Sequence, residues 1–172
     1  MKRTTALLLA ILISFPVFAD PIKVADTDVT FAPPDGFKAL PQETIDLKWP
    51  NKRAPKFVVG NDNASTTVAY DIKPNNIPQN HLVDAQKAFT DLFERVVPGF
   101  EWKKNEIIDH SGQKWLLMEM TSRAIDTNIY NIMFVTGYKG QMLIFNFNST
   151  KEDFPKYEKQ LRASLKSIRL PK

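Results

Sequence analysis

The chain has 172 residues, no cysteine, 23 lysines and arginines against 19 aspartates and glutamates, and a formal net charge of +4. This length suits one domain with a real core. The lack of cysteine excludes disulfides and thiol chemistry, and so modest a charge speaks against a nucleic-acid partner.

The first residues read as an address, not as structure. Lys2 and Arg3 precede an apolar run, Ala6–Phe15, and Val17-Phe18-Ala19 supplies the small residues a signal peptidase reads. Charge, length and cleavage chemistry are those of a secretory signal peptide, with cleavage expected between Ala19 and Asp20. A retained membrane helix needs about 20 apolar residues, and Pro16 and Asp20 end the run early. Loss of Lys2 and Arg3 leaves 21 basic residues against 19 acidic ones, a net of +2. No cysteine follows the cleavage point, so a lipid anchor on an N-terminal Cys is closed. The expectation is a signal peptide over 1–19 and a single domain over 20–172. Its expected location is the bacterial periplasm, without a stable membrane anchor.

Asp28–Phe31 reads as a short strand and Pro33-Pro34-Asp35-Gly36 as a turn, since proline fixes φ and glycine admits positive φ. Pro41–Leu47 is a turn or two of helix with Ile45 and Leu47 expected inward. Trp49 to Lys56 is a proline-bounded basic segment. Phe57–Gly60 and Thr66–Ile72 form a hairpin around Asn61-Asp62-Asn63-Ala64. A helix is expected over His81–Val96, with Asn80 as its N-cap, Pro98-Gly99 as its stop, and a stripe of Leu82, Ala85, Phe89, Leu92, Phe93 and Val96.

Glu101–Asp109 is a polar strand whose lysines suit a sheet edge. Three strands follow, at Gln113–Ser122, Asn128–Tyr138 and Gln141–Ser149, with tight reversals at Ser111-Gly112 and Lys139-Gly140. Their period is two with apolar residues on both faces, so the sheet is expected to be covered on both sides. Phe154, Tyr157, Leu161, Leu165 and Ile168 mark the buried stripe of a closing helix. The predicted fold is α+β, an antiparallel sheet of six to seven strands flanked by helices on both faces.

Four features in this order resemble a known family. They are Phe31-x-x-Pro34-x-Gly36-Phe37, the helix leading to Pro98-Gly99, the meander with Gly140 at its tight turn, and the closing Ser164-Leu165-x-Ser167-Ile168. Together they resemble the PsbP-like, Mog-type α/β/α sandwich, and within it the bacterial DcrB-like envelope proteins. The resemblance implies a non-enzymatic domain that binds other proteins. Its members include photosystem extrinsic subunits, a Ran-interacting factor and chaperones of secretion-system effectors. DcrB-like proteins are often lipoproteins, and this chain departs from them by lacking the lipid-bearing cysteine.

Chemistry-bearing patterns are few. His81 and His110 are the only histidines, and neither has a second metal ligand at useful spacing, so both are read as exposed and structural. No serine sits in a nucleophile elbow and no glycine-rich loop awaits phosphate. No catalytic residue, metal or cofactor is therefore expected. Glu119, in a strand otherwise apolar on both faces, could be a tuned acid, and is read instead as the partner of a nearby Lys or Arg or as a residue at the sheet's rim, because an isolated buried acid is costly.

Three surfaces could bind a partner. The closing helix carries Lys156, Lys159, Arg162 and Lys166 along one stripe, a solvated face or a site for anionic lipid headgroups or an acidic partner. Trp49, Lys52 and Arg53 join an aromatic ring to two cations, although Trp49 is also read as a core plug. Asn128, Asn131, Asn146 and Asn148 could align across strands and offer amides to a ligand or peptide strand. The functional expectation is an exported protein-binding module of the envelope, accessory or immunity-type, whose partner is another envelope or secreted protein, a toxin or effector included. The alternative is a small-ligand carrier or hydrolase with a site between sheet and helix, using Glu119 or His110.

Overall fold

In the computed structural model, which describes residues 19–50, 54–124 and 126–171, these described residues form nine strands and three α-helices. Residues 1–18 of the expected leader lie outside the described residues. So do Lys52 and Arg53. Strands β1 (Ile22–Lys23) and β2 (Thr30–Phe31) make a short antiparallel ribbon. Strand β3 (Lys38–Ala39), helix α1 (Gln42–Lys48), and the hairpin β4 (Phe57–Gly60) and β5 (Thr66–Lys73) follow. Helix α2 (Leu82–Val96) leads into a meander of β6 (Glu101–His110), β7 (Gln113–Arg123), β8 (Asn128–Tyr138) and β9 (Gln141–Thr150). Helix α3 (Phe154–Ser167) closes the fold.

Seven strands form one antiparallel sheet in the order β3-β4-β5-β9-β8-β7-β6. The meander leaves β9 with a free edge, and β5 pairs with it over eight residues, Thr66 opposite Ser149 through Lys73 opposite Met142. The last strand made is thus the middle strand of the sheet. Ser111 and Gly112, and again Lys139 and Gly140, all adopt positive φ, as the two-residue reversals of a right-twisted hairpin require. The polar strand β6 lies at the sheet edge, as its lysines predict.

One face of the sheet carries the larger core. Phe31, Trp115, Phe134, Phe145, Phe147, Leu161 and Ile168 are fully buried there beneath α3 and the β1–β2 ribbon. Ala32 fastens the ribbon to α3: its N–H donates to Ser167 Oγ at 2.8 Å and its carbonyl accepts from Ser164 Oγ at 2.7 Å. Thr30 bridges Arg169 beyond the helix. On the other face α2 sets Leu82, Phe89 and Phe93 against Leu116, Met118, Met120 and Val135. Separately, α1 sets Ile45 against Val58 and Ala69.

Several expectations need correction. Leu47 is 81% exposed while Ile45 is buried, because residues two apart on a helix point to nearly opposite sides. Asn80 does not cap α2. A 3₁₀ turn at Gln79–His81 precedes the helix, and no side chain caps it. Val96 is 55% exposed at the helix end, although it lies on the apolar stripe. The two-residue strands β1 and β3 carry too few residues to show a period.

Candidate binding groove over the central strand

Alternation places Leu143, Phe145, Phe147 and Ser149 of β9 in the α3-side core, where all four are buried. The residues between them, Met142, Ile144, Asn146 and Asn148, face the α1–α2 side and are only half-buried. Their register neighbours on β5, Thr67, Ala69 and Asp71, are buried, as are Leu116, Met118 and Met120 on β7. Helix α1 covers β4 and β5, and α2 covers β6, β7 and part of β8. Neither helix covers the second half of β9. The middle of the sheet is therefore open on one side.

Two adjoining cavities occupy this strip, and Trp49 lines both. One, of about 240 Å³, is mainly apolar, set among Pro55, Ala69, Ile144 and Asn146. The other, of about 660 Å³, is lined by Asn131 and Asn148, by short hydroxyl side chains, and by Lys48 and Asp126 at its mouth. A concave site with few charges and convergent neutral hydrogen-bonding groups is suited to holding a ligand. The Oδ1 atoms of Asn146 and Asn148 are buried and accept no hydrogen bond from the protein, which is uncommon for buried polar atoms. Burial lowers the Lys48 ammonium below its ordinary value, with Asp126 opposing, and its Nζ donates to the Ala64 carbonyl at 2.7 Å.

Of the four asparagines singled out by sequence, the register brings three to this strip. Asn131 stands directly opposite Asn148, and Asn146 is two residues along. Asn128 falls an odd number of positions from Asn131 and faces the other side. Trp49 packs partly against the small core under α1, as its reading as a core plug expects, and also lines the groove.

The basic stripe on α3 divides. Lys156, Lys159 and Lys166 are exposed, with Lys156 Nζ 4.9 Å from the centre of the Tyr157 ring. Arg162 is different, because its guanidinium turns inward. It donates from Nη1 and Nη2 to the two oxygens of Glu119 and from Nε to Glu158. Glu119, 2% exposed, also accepts from Tyr130 Oη at 2.7 Å. The arginine partner expected for this buried acid is thus present. Burial alone would raise the Glu119 carboxyl, but the hydrogen bonds from Arg162 and Tyr130 outweigh it and hold the group below its ordinary value. Burial and the bond to Glu119 push the Tyr130 phenol up to about 12.

His110 is not the exposed residue expected. It lies half-buried against Trp115 and Phe134, with Nε2 2.9 Å from the Ile168 carbonyl. Burial lowers its imidazole below the usual value. His81 is exposed and pairs with Asp84. Among the described residues no cluster of three or more His, Cys, Asp or Glu side chains could hold a metal ion, and no helix is long and apolar enough to cross a membrane.

No known protein family and no curated protein matches the sequence. Solved structures do. The cyanobacterial PsbP (CyanoP) of Synechocystis sp. PCC 6803 superposes with a TM-score of 0.62 at 13% identity, over 96% of this chain and 99% of that one. The fold is the PsbP-like, Mog-type sandwich. LpqN of Mycobacterium tuberculosis, described as involved in cell envelope biogenesis, shares this PsbP-like fold with a TM-score of 0.56 at 11% identity, over 87% of this chain and 88% of that one. The Ran-binding protein Mog1p of Saccharomyces cerevisiae gives 0.57 at 10%, over 87% and 94%.

Proposed function

We propose that the chain is an exported, non-enzymatic binding module of the bacterial envelope that holds a partner protein in the groove over β9. One observation carries this reading. The central strand of a sheet otherwise roofed on this side is left open for half its length, and two of its amides turn buried acceptors to no protein donor. A packed sandwich with no binding role would gain by covering such a strip, since unmade buried hydrogen bonds cost about 1–3 kcal/mol each.

Three further points support the reading. The leader pattern at Lys2, Arg3 and Ala6–Ala19 supports export to the periplasm. Neighbours of the same fold include a protein of envelope biogenesis and a protein that binds another protein. The groups that could have acted as acid or base are committed to the fold, Glu119 to Arg162 and Tyr130, His110 to the Ile168 carbonyl.

The test is affinity purification of the tagged, exported full chain from its own cells, followed by mass spectrometry. A stoichiometric envelope or secreted protein that is recovered with wild type and lost with Trp49→Ala is the expected result. Repeated purification without a partner overturns the reading.

A further inference from the structure

Resting on the binding-module reading, the geometry points to the occupant of the groove: an extended peptide segment of the partner, lying along β9 with its backbone hydrogen-bonding to Asn146 and Asn148 and a carboxylate at Lys48.

The match begins with spacing. Asn146 and Asn148 project from one face of β9, two residues apart, so their amides repeat at about 6.6–6.8 Å. An extended peptide presents the N–H and C=O of every second residue along one edge, with the same repeat. Each asparagine offers one acceptor and one two-proton donor, which is what a peptide unit needs in return. The two buried Oδ1 atoms accept nothing from the protein. A half-turn about the broad χ2 torsion exchanges oxygen and nitrogen and offers the acceptor to an incoming N–H. Asn131, opposite Asn148, is held in place by donation from Nδ2 to Ser122 Oγ at 3.0 Å.

The walls fit side chains of the same segment. A peptide seated edge-down sends alternate side chains to opposite walls. The apolar cavity of about 240 Å³ beside Trp49 and Ile144 takes one aliphatic or aromatic side chain. Charge sets the other end. Among the described residues Lys48 has no carboxylate within salt-bridge distance, its Nζ donating to the Ala64 carbonyl and Asp126 acting on it only from farther off, whereas Lys73 at the opposite end is already paired with Asp71. A side-chain or terminal carboxylate on the peptide therefore complements the mouth at Lys48. A neutral saccharide would use the amides and Trp49 but would give that lysine no ion pair.

The experiment selects dodecapeptides on the full chain from a random phage-displayed library. A synthetic selected peptide and the neutral disaccharide N,N′-diacetylchitobiose are then titrated separately into ¹⁵N-labelled protein. The expected result is an acid-containing peptide that shifts the side-chain amide resonances of Asn131, Asn146 and Asn148. Its affinity should fall about tenfold or more in the Asn146→Ala/Asn148→Ala variant, from the loss of two or more hydrogen bonds, and also in Lys48→Glu, at unchanged melting temperature. The wild-type resonances report the site even where a variant folds poorly. Peptides that leave those amides unmoved, a library that yields none, or shifts caused by the disaccharide alone each overturn the inference. The binding-module reading survives any of these if affinity purification still returns a Trp49-dependent partner, and fails with the inference if it does not.

Discussion

The Arg162 guanidinium on α3 grips the Glu119 carboxylate on β7 with two parallel hydrogen bonds, Nη1 to Oε1 at 2.8 Å and Nη2 to Oε2 at 2.9 Å. The paired geometry fixes the rotation of α3 on the sheet, because a planar fork meets a planar carboxylate in one orientation. Removing one partner leaves the other's charge stranded. A fully buried pair broken in this way costs about 3–5 kcal/mol. With Arg162 36% exposed, water takes up part of that, so Arg162→Ala should lose about 2–3 kcal/mol. Glu119→Leu/Arg162→Leu should be more stable than Arg162→Ala alone. Urea unfolding of the three proteins checks this, and equal stability of the single and double variants would contradict it.

Acid should unfold the protein in two stages. His110 has its imidazole lowered below 6.5 in the folded chain. The unfolded chain therefore takes up that proton first, and the stability His110 confers is full above pH 6.5 and declines as pH falls below it. Glu119 is a carboxyl lowered below 4.5. Its contribution is complete above that pH and is lost as pH falls through the lowered value. Melting temperature should be level above neutrality, decline gently below pH 6.5 and drop more steeply below 4.5. His110→Phe should abolish the first decline and leave the second.

Gly137 is a contact point between sheet and linker. A Cβ placed there would stand 1.9 Å from the Ile77 carbonyl oxygen, a backbone atom that cannot rotate aside. Nearby, Gln79 Nε2 donates to Thr136 Oγ1, and the Lys114 N–H donates to Gln79 Oε1. The segment that delivers α2 is thus held at this spot. Gly137→Ala should cost about 1–3 kcal/mol or more by overpacking, read as a lower urea midpoint at unchanged slope.

The two candidate partner surfaces lie on opposite faces of the sheet and can be separated. Reversing the exposed charges in Lys156→Glu/Lys159→Glu/Lys166→Glu should leave partner recovery and stability unchanged, since exposed surface charges contribute little. Trp49→Ala should remove the partner. The opposite pattern would move the interface to α3.

Much of this fold was legible because the meander strands are long and strictly alternating. Phe57–Gly60 and Asn128–Tyr138 coincide with the strands observed, and β6 declares its edge position through lysine. The groove was half legible. The alternate positions of β9 change from Met142 and Ile144 to Asn146 and Asn148 midway along the strand, and that change marks where covering stops. Two apolar faces were expected throughout the meander, which holds for β7 but not for this half of β9. Which residue of β5 stands beside Asn148 depends on a pairing across some eighty residues, Thr67 to Asn148, and no local pattern encodes that. Arg162 went astray for a related reason. Helical spacing puts it in line with three lysines, and only the position of Glu119 on another element turns it inward.

The clasp between Ala32 and the two serines of α3 joins residues more than 130 positions apart. Contacts this distant in sequence form late, because the chain between them must be brought to order first. A polypeptide leaving the ribosome cannot seat its first ribbon until residues 164–169 have been made. Until then the core face that α3 covers stays open.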